Sequence, residues 1–212
     1  MTKVKMAIFD LDKTVIGRDS MFEFVRYGIR RSPSGLLRLP LIAGHSVLFK
    51  LGLMRAETAK QSYFYAINRM TESDLEHFYE SHLSQTIYPQ AKEEMRRRKE
   101  EGYHVLLVTA SPHAYAQYFG RLPWVDDVIG TRLKPGADGH GYTSRIDGPN
   151  CKGEEKVRRI QQYLEEKGLE IDADQSCAYS DSLSDMPVME LVRHRYFVNR
   201  RVPGAEELRW NL

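Results

Sequence analysis

Short apolar runs recur along the chain at Val4 to Phe9, Tyr103 to Val108, Val125 to Ile129, Cys177 to Tyr179 and Tyr196 to Val198. Helical patterns separate most of them, and strands alternating with helices predict a parallel sheet covered on both faces, a Rossmann-like α/β core. Helix punctuation agrees: Pro89 opens a charged helix that Gly102 closes, Ser111-Pro112 is placed to cap the next, and Gly168 ends a helix over Glu154 to Lys167. Between the first two runs the pattern changes. Val15 to Tyr88 is helical throughout, with breaks at Ser32-Pro33-Ser34 and near Gly52, and Thr71 to Asp74 resembles a capping box ahead of Leu75 to Leu83. This segment is too long for one crossover between strands. It is expected to form a helical cap (15–88) over the carboxyl ends of a core built from 1–14 and 89–212. A smaller excursion, Lys134 to Tyr142, is rich in glycine, contains Pro135, and reads as a turn or hairpin.

Composition narrows the function classes. With 42% hydrophobic residues over 212 positions, the chain can bury a full core. Lys and Arg total 31 against 29 Asp and Glu, so the formal charge of +2 gives no reason to expect a nucleic-acid partner. The arginines at 96–98 interleave with acids across Glu93 to Glu101 and read as a solvated helix face. Cys151 and Cys177 lack metal-ligand spacing, no secretory signal is evident, and a reducing cytoplasm is the default. The seven histidines form no pair at helical ligand spacing, so no zinc site is predicted.

Leu36 to Met54 raises a membrane question. The run is rich in Leu, but Arg38, Pro40, His45 and Lys50 interrupt it and make it a poor spanning helix. Two readings stay open: packing within the helical cap, or a basic amphipathic segment in contact with a membrane surface.

In an open parallel sheet, ligands gather at the carboxyl ends of the strands, so the residue that follows each apolar run carries the argument. After the first run come Asp10 and Asp12, with Leu11 between them free to turn into the core. After Tyr103 to Val108 come Thr109, Ala110 and Ser111, a hydroxyl and backbone N–H groups suited to a phosphate. After Cys177 to Ser180 come Asp181 and Asp185. Four carboxylates in one crevice repel by about 4 kcal/mol per close pair at 4 Å and an effective dielectric near 20, so a cation is required. Oxygen-only donors favour a hard ion such as Mg²⁺, held by Asp10, the Asp12 backbone carbonyl and Asp181, with Asp185 behind them or bound through water.

In this order, Asp10-Leu-Asp12-Lys-Thr14, Thr109, a lysine, and Asp181-Ser-Leu-Ser-Asp185 resemble the four-motif signature of the haloacid dehalogenase superfamily. The likeness is to its phosphoserine-phosphatase-like subfamily IB, with a C1-type cap inserted after the first motif, and it covers nearly the whole chain. The motif lysine is Lys152 or Lys156, 29 and 25 residues before Asp181; the shorter spacing is closer to the family's and favours Lys156. The resemblance implies a Mg²⁺-dependent phosphomonoester hydrolase. Asp10 would attack phosphorus to form an aspartyl phosphate, Asp12 would act as general acid and then base, and Thr109, Ala110 and Lys156 would hold the phosphoryl oxygens.

The substrate is less legible. Asp19 loosely matches the acid that phosphoserine enzymes place after the first motif, while Glu57 to Met70 offers Lys60 and Arg69 without a clear arginine match. A closer likeness is to a branch with C-type phosphatidylglycerophosphatases and histidinol-phosphate phosphatases. It rests on Thr109-Ala-Ser-Pro112, Pro123-Trp124, Gly141-Tyr142, Cys151, Gly153, Glu155-Lys-Val157 and Tyr179-Ser-Asp-Ser182. A small soluble phosphomonoester is the first expectation, with a phospholipid head group and phosphoserine as alternatives. Two non-enzymes also cluster acids. A receiver-like module has no need of so large a helical insertion, and an inactive binding module would be expected to have lost one of Asp10, Asp12 and Asp181. The oligomeric state is not legible.

Overall fold

The computed structural model describes residues 1–137 and 139–212, with the backbone alone described at Pro33, Ser34 and Ala56. In chain order the first elements are β1 (Thr2–Val4), β2 (Met6–Phe9), α1 (Ser20–Arg31), α2 (Leu39–Lys50), α3 (Ala56–Tyr63), α4 (Glu72–Phe78) and α5 (Pro89–Glu100). There follow β3 (His104–Pro112), α6 (His113–Ala116), β4 (Asp127–Thr131), β5 (Leu133–Pro135), β6 (Tyr142–Ile146) and α7 (Glu154–Lys167). The last are β7 (Leu169–Ile171), β8 (Cys177–Ser180), α8 (Met186–Met189), β9 (His194–Val198) and β10 (Glu206–Leu208).

Six strands form the main sheet in the order β10-β9-β8-β2-β3-β4, every pairing parallel. The two-residue period of a strand divides their apolar side chains between two faces. Met6, Ile8, Leu106 and Val108 join Ile160 and Leu164 of α7 in one cluster; Ala7, Phe9, Val105 and Leu107 join Ala91 and Met95 of α5 in the other. On the second face the Phe9 and Tyr179 rings stack with centroids 4.0 Å apart, and burial of each such ring contributes roughly 1.5–3 kcal/mol. With both faces covered, β2, β3 and β8 lie mid-sheet and their carboxyl ends share one edge of the molecule.

The helical residues between β2 and α5 leave and rejoin the sheet side by side. Gly17 N–H donates to the Thr86 carbonyl at 2.8 Å and Tyr88 N–H to that of Val15 at 3.0 Å, around an antiparallel bridge between Ile16 and Ile87. Phe24 and Phe78 from this segment meet Tyr115 of α6 with ring centroids 5.2–5.4 Å apart, so the segment shares an apolar cluster with the sheet.

Several expectations are corrected. The run Val4 to Phe9 is two strands: β1 pairs with β7 in a separate ladder, and only β2 enters the main sheet. The second run extends to Pro112 through a bulge between Val108 and Pro112, so Ser111 does not cap α6, which has no side-chain cap. Arg98 is not on a solvated face; it is buried and donates to the Tyr179 hydroxyl at 2.9 Å and to Glu94 at 2.9 Å. The Leu75 to Leu83 segment leaves α-helical geometry for a wider π turn at Tyr79–Leu83. The hairpin reading of the excursion after β4 holds: Asp138 lies outside the described residues, β5 and β6 on either side of it form an antiparallel pair, and Ser144 N–H reaches Asn68 of the helical segment at 3.0 Å. Residues 36–54 are not one helix: they run from the end of a 3₁₀ turn at Pro33–Arg38 through α2, which rests on α3 by one side. In α2 only Ile42 is buried, and apolar side chains emerge all round it. Among the described residues no helix is long and apolar enough to cross a membrane.

Candidate active site

The turn after β2 is built on one carbonyl. Leu11, fully buried, accepts the N–H groups of Thr14, Val15 and Ile16 at 3.3, 2.9 and 3.0 Å, and Lys13 takes a φ of 58°. This tight knot turns Asp10 and Asp12 into a pocket of about 310 Å³ at the carboxyl ends of β2, β3 and β8. Asp181, Asp185, Ala110 and Ser111 line the same pocket, as do Lys60, Lys152, Lys156 and Asp19. The acids, the lysines and Ala110 singled out from sequence therefore converge, Arg69 lines a different cavity, and one further candidate stops short of the wall. That candidate is Thr109, whose buried hydroxyl accepts the Ser111 N–H at 3.0 Å and lies 3.5 Å from Asp12 Oδ2, while Ala110 and Ser111 reach the wall.

Geometry separates the two lysines. Lys156, on the first turn of α7, is buried and donates to Asp10 Oδ1 at 2.7 Å and to Asp185 Oδ2 at 2.9 Å. Lys152 is exposed at the rim. Gly153 makes this placement feasible: at φ 58° and ψ −128°, a conformation suited to glycine, it launches α7 against the β8 loop. Asp185 is committed, since its Oδ2 also accepts from Ser180 Oγ at 2.7 Å.

The two leading carboxylates are held differently. Asp10 accepts from Lys156 and, at 3.3 Å, from Thr14. Burial, reinforced by the charges of Asp185 and Asp12, pushes its carboxyl up to about 7 against the pull of Lys156. Asp12 Oδ1 accepts the Ser20 N–H at 2.6 Å and its Oδ2 the Ser111 hydroxyl at 2.6 Å. Burial raises Asp12 above its ordinary value of 3.8 despite these bonds. Sequence reasoning missed Ser20 and Ser111 as its partners. In the sequence Ser111 suits a helix cap or a phosphate equally well, and Ser20 carries no local signal.

Asp181 is raised by burial and then by Asp185 and Asp12, with Lys13 opposing. No side chain among the described residues donates to its carboxylate; its own N–H donates to Thr14 Oγ1 at 2.9 Å. No three His, Cys, Asp or Glu side chains among the described residues close into a cage. Asp10 and Asp181 offer the pocket oxygen-only donors, which fit a hard cation that takes one or two carboxylates and completes its shell with solvent and a phosphate oxygen. On the other wall, Lys60 of α3 donates to the Ala110 carbonyl and Asn150 Oδ1, both at 2.8 Å, and has no carboxylate partner among the described residues. Burial lowers it to about 8, with Lys152 adding to the effect. Asp19 caps α1 by accepting the Phe22 N–H at 3.1 Å.

Comparison with known proteins places the chain among hydrolases. The chain is 28% identical to CicA of Caulobacter vibrioides, covering 94% of this chain and 88% of that one. It is 26% identical to a histidinol-phosphatase of Neisseria meningitidis, covering 95% and 91%. A crystal structure of a Bordetella pertussis protein of unknown function superposes with a TM-score of 0.81 at 26% identity, over 96% of this chain and 93% of that one. A phospho-aspartyl intermediate analogue of phosphoserine phosphatase superposes at 0.66 with 16% identity, over 93% and 87%, a likeness of fold. The model of haloacid dehalogenase-like hydrolases matches residues 7–190, and the chain belongs to that family of enzymes.

Proposed function

We propose that the protein is a phosphomonoester hydrolase of small phosphorylated metabolites that works through an aspartyl phosphate on Asp10. The observation that carries this is the contrast between two acids in one pocket. Asp10 is held by a buried lysine at the end of β2, and Asp12 is clasped by two donors from outside that strand. The names of two relatives, the histidinol-phosphatase of Neisseria meningitidis and a phosphoserine phosphatase of Mycobacterium tuberculosis that is 25% identical, support the same substrate class.

In the first step an Asp10 oxygen forms a bond to phosphorus as the bond to the alcohol oxygen breaks, and Asp12 delivers its proton to that leaving oxygen. In the second, Asp12 takes a proton from water, the water oxygen bonds to phosphorus, and the Asp10–phosphorus bond breaks to release inorganic phosphate. Lys156 and the Ala110 N–H compensate charge on the phosphoryl oxygens, while Thr109 and Ser111 hold Asp12 in line. Mg²⁺, held by Asp10, Asp181 and the Asp12 carbonyl with Asp185 behind them, would supply positive charge to the phosphoryl group. The helices of residues 15–88 act as a cap, and through it Lys60, with Lys152 at the rim, meets a second anionic group of the substrate.

A Mg²⁺-dependent phosphate-release screen over histidinol phosphate, phosphoserine, sugar phosphates and an aryl phosphate tests this. Wild-type protein is expected to turn over at least one of them, with activity lost in chelator and in Asp10→Asn while the far-UV spectrum is unchanged. Undiminished hydrolysis by Asp10→Asn would remove Asp10 as the nucleophile.

A further inference from the structure

Of the thirteen large apolar side chains exposed among the described residues, nine lie between Leu36 and Leu53. Leu37, Leu51 and Leu53 are 84%, 65% and 73% exposed. A helix that is apolar all round is ordinarily buried. Here α2 is anchored on one side only, through Ile42 and through Ser46, whose hydroxyl meets the Tyr63 hydroxyl of α3 at 2.6 Å. So much apolar surface is costly to leave in water, and something covers it.

Charge identifies the cover. Between Glu23 and Glu57 the chain carries six Lys or Arg residues and no acid, although acids make up 29 of its residues. Arg30, Arg38 and Lys50 have no ion pair among the described residues, while Arg26, Arg31 and Arg55 pair with Glu23, Asp74 and Glu57. A cavity of about 660 Å³ opens beside the apolar run, lined by Arg31, Arg38, Arg69 and Leu37 with no carboxylate in its wall. The Tyr65 hydroxyl in that wall is buried with no hydrogen-bond partner among the described residues, a donor free for an acceptor. Leucines beside unpaired cations and an arginine-lined cavity suit one kind of surface, an apolar layer faced with anionic phosphate groups.

We infer that residues 36–53 dock this protein on anionic lipid bilayers, with the leucines of α2 and its flanks in the acyl boundary and the Arg31–Arg38–Arg69 cavity taking a lipid phosphate. At twelve residues α2 is too short to span and lies in the interface. The following helix, α3, carries Lys60 into the pocket of Asp10, so the docked segment and the pocket share one element. The inference stands whether or not that pocket hydrolyses phosphate.

Co-sedimentation of the full chain with vesicles tests it. Binding is expected to phosphatidylcholine vesicles containing phosphatidylglycerol, to weaken at least ten-fold in vesicles of phosphatidylcholine alone, and to weaken in high salt. Leu37→Glu with Leu53→Glu is expected to abolish it, and Arg38→Gln with Arg69→Gln to reduce it several-fold. In both variants, hydrolysis of a soluble aryl phosphate in detergent-free buffer, wherever wild-type protein shows it, should stay at the wild-type rate, which confirms folding. Equal binding to neutral and anionic vesicles, or no binding to either, overturns the inference. So does a concentration-dependent dimer that Leu37→Glu dissociates, which would assign the apolar face to a second copy of the chain.

Discussion

Ser20 and Ser111 are 91 residues apart, yet both close on Asp12, and their hydroxyls meet at 2.8 Å. Their bonds hold Asp12 down against the burial that raises it. Removing the Ser111 hydroxyl lets Asp12 rise further, so it keeps its proton to higher pH. The alkaline limb of kcat/KM should therefore move upward in Ser111→Ala, and turnover should fall about 10-fold or more, as expected for losing one hydrogen bond to a charged group. A pH profile on an aryl phosphate checks this; a profile superposing on wild type would remove Ser111 as a positioning residue. At this scale the acids were legible in the sequence because each follows an apolar run, where a parallel sheet exposes its strand ends. Their partners were not. A serine's role depends on which carboxylate the fold brings to it, and no periodicity records that.

At the scale of elements, local chemistry was legible wherever it decides the outcome. Thr71 and Asp74 form the reciprocal box expected of them: Asp74 N–H donates to Thr71 Oγ1 at 3.3 Å, and Thr71 N–H donates to Asp74 Oδ2 at 2.9 Å. Thr71→Ala should cost about 1 kcal/mol in chemical denaturation. The Asp74 carboxyl sits below its ordinary value of 3.8: burial opposes the shift, but hydrogen bonds from Thr71 and the charge of Arg31 prevail. Its stabilising share is thus complete above the unfolded value and disappears as pH falls through the depressed one. Asp74→Asn should be less stable than wild type at pH 7, with the gap closing as pH drops below 3.8; a gap constant with pH would show that the charge is idle. Other elements were illegible because their cause is distant. The break at Lys5 reflects β1 pairing with β7, far along the chain, and the shift of the second strand's end to Pro112 reflects its register with β4.

Over the whole molecule, the sequence suggested a sheet core and a separate helical piece, but side-chain packing joins them. Phe24, Phe78 and Tyr115 form a three-ring contact within an apolar cluster that continues from Ala7 and Phe9 of the sheet to Leu75 and Leu83 of the helical segment. A continuous core couples the unfolding of its parts, so wild-type protein should lose tryptophan fluorescence and far-UV ellipticity in one coincident transition. The probes are well placed: Trp124 and Trp210 lie outside residues 15–88, whereas much of the helix lies within them. Phe78→Ala removes the ring that bridges α1 and α6, at a cost of about 3–5 kcal/mol for a buried aromatic. Because the loss falls at the junction, ellipticity should begin to fall at lower denaturant than fluorescence, with the helical segment loosening while the sheet persists. Coincident curves in the variant would show that the coupling runs elsewhere, through the Ile16–Ile87 bridge and the hydrogen bonds of Gly17 and Tyr88 where the chain leaves and rejoins the sheet.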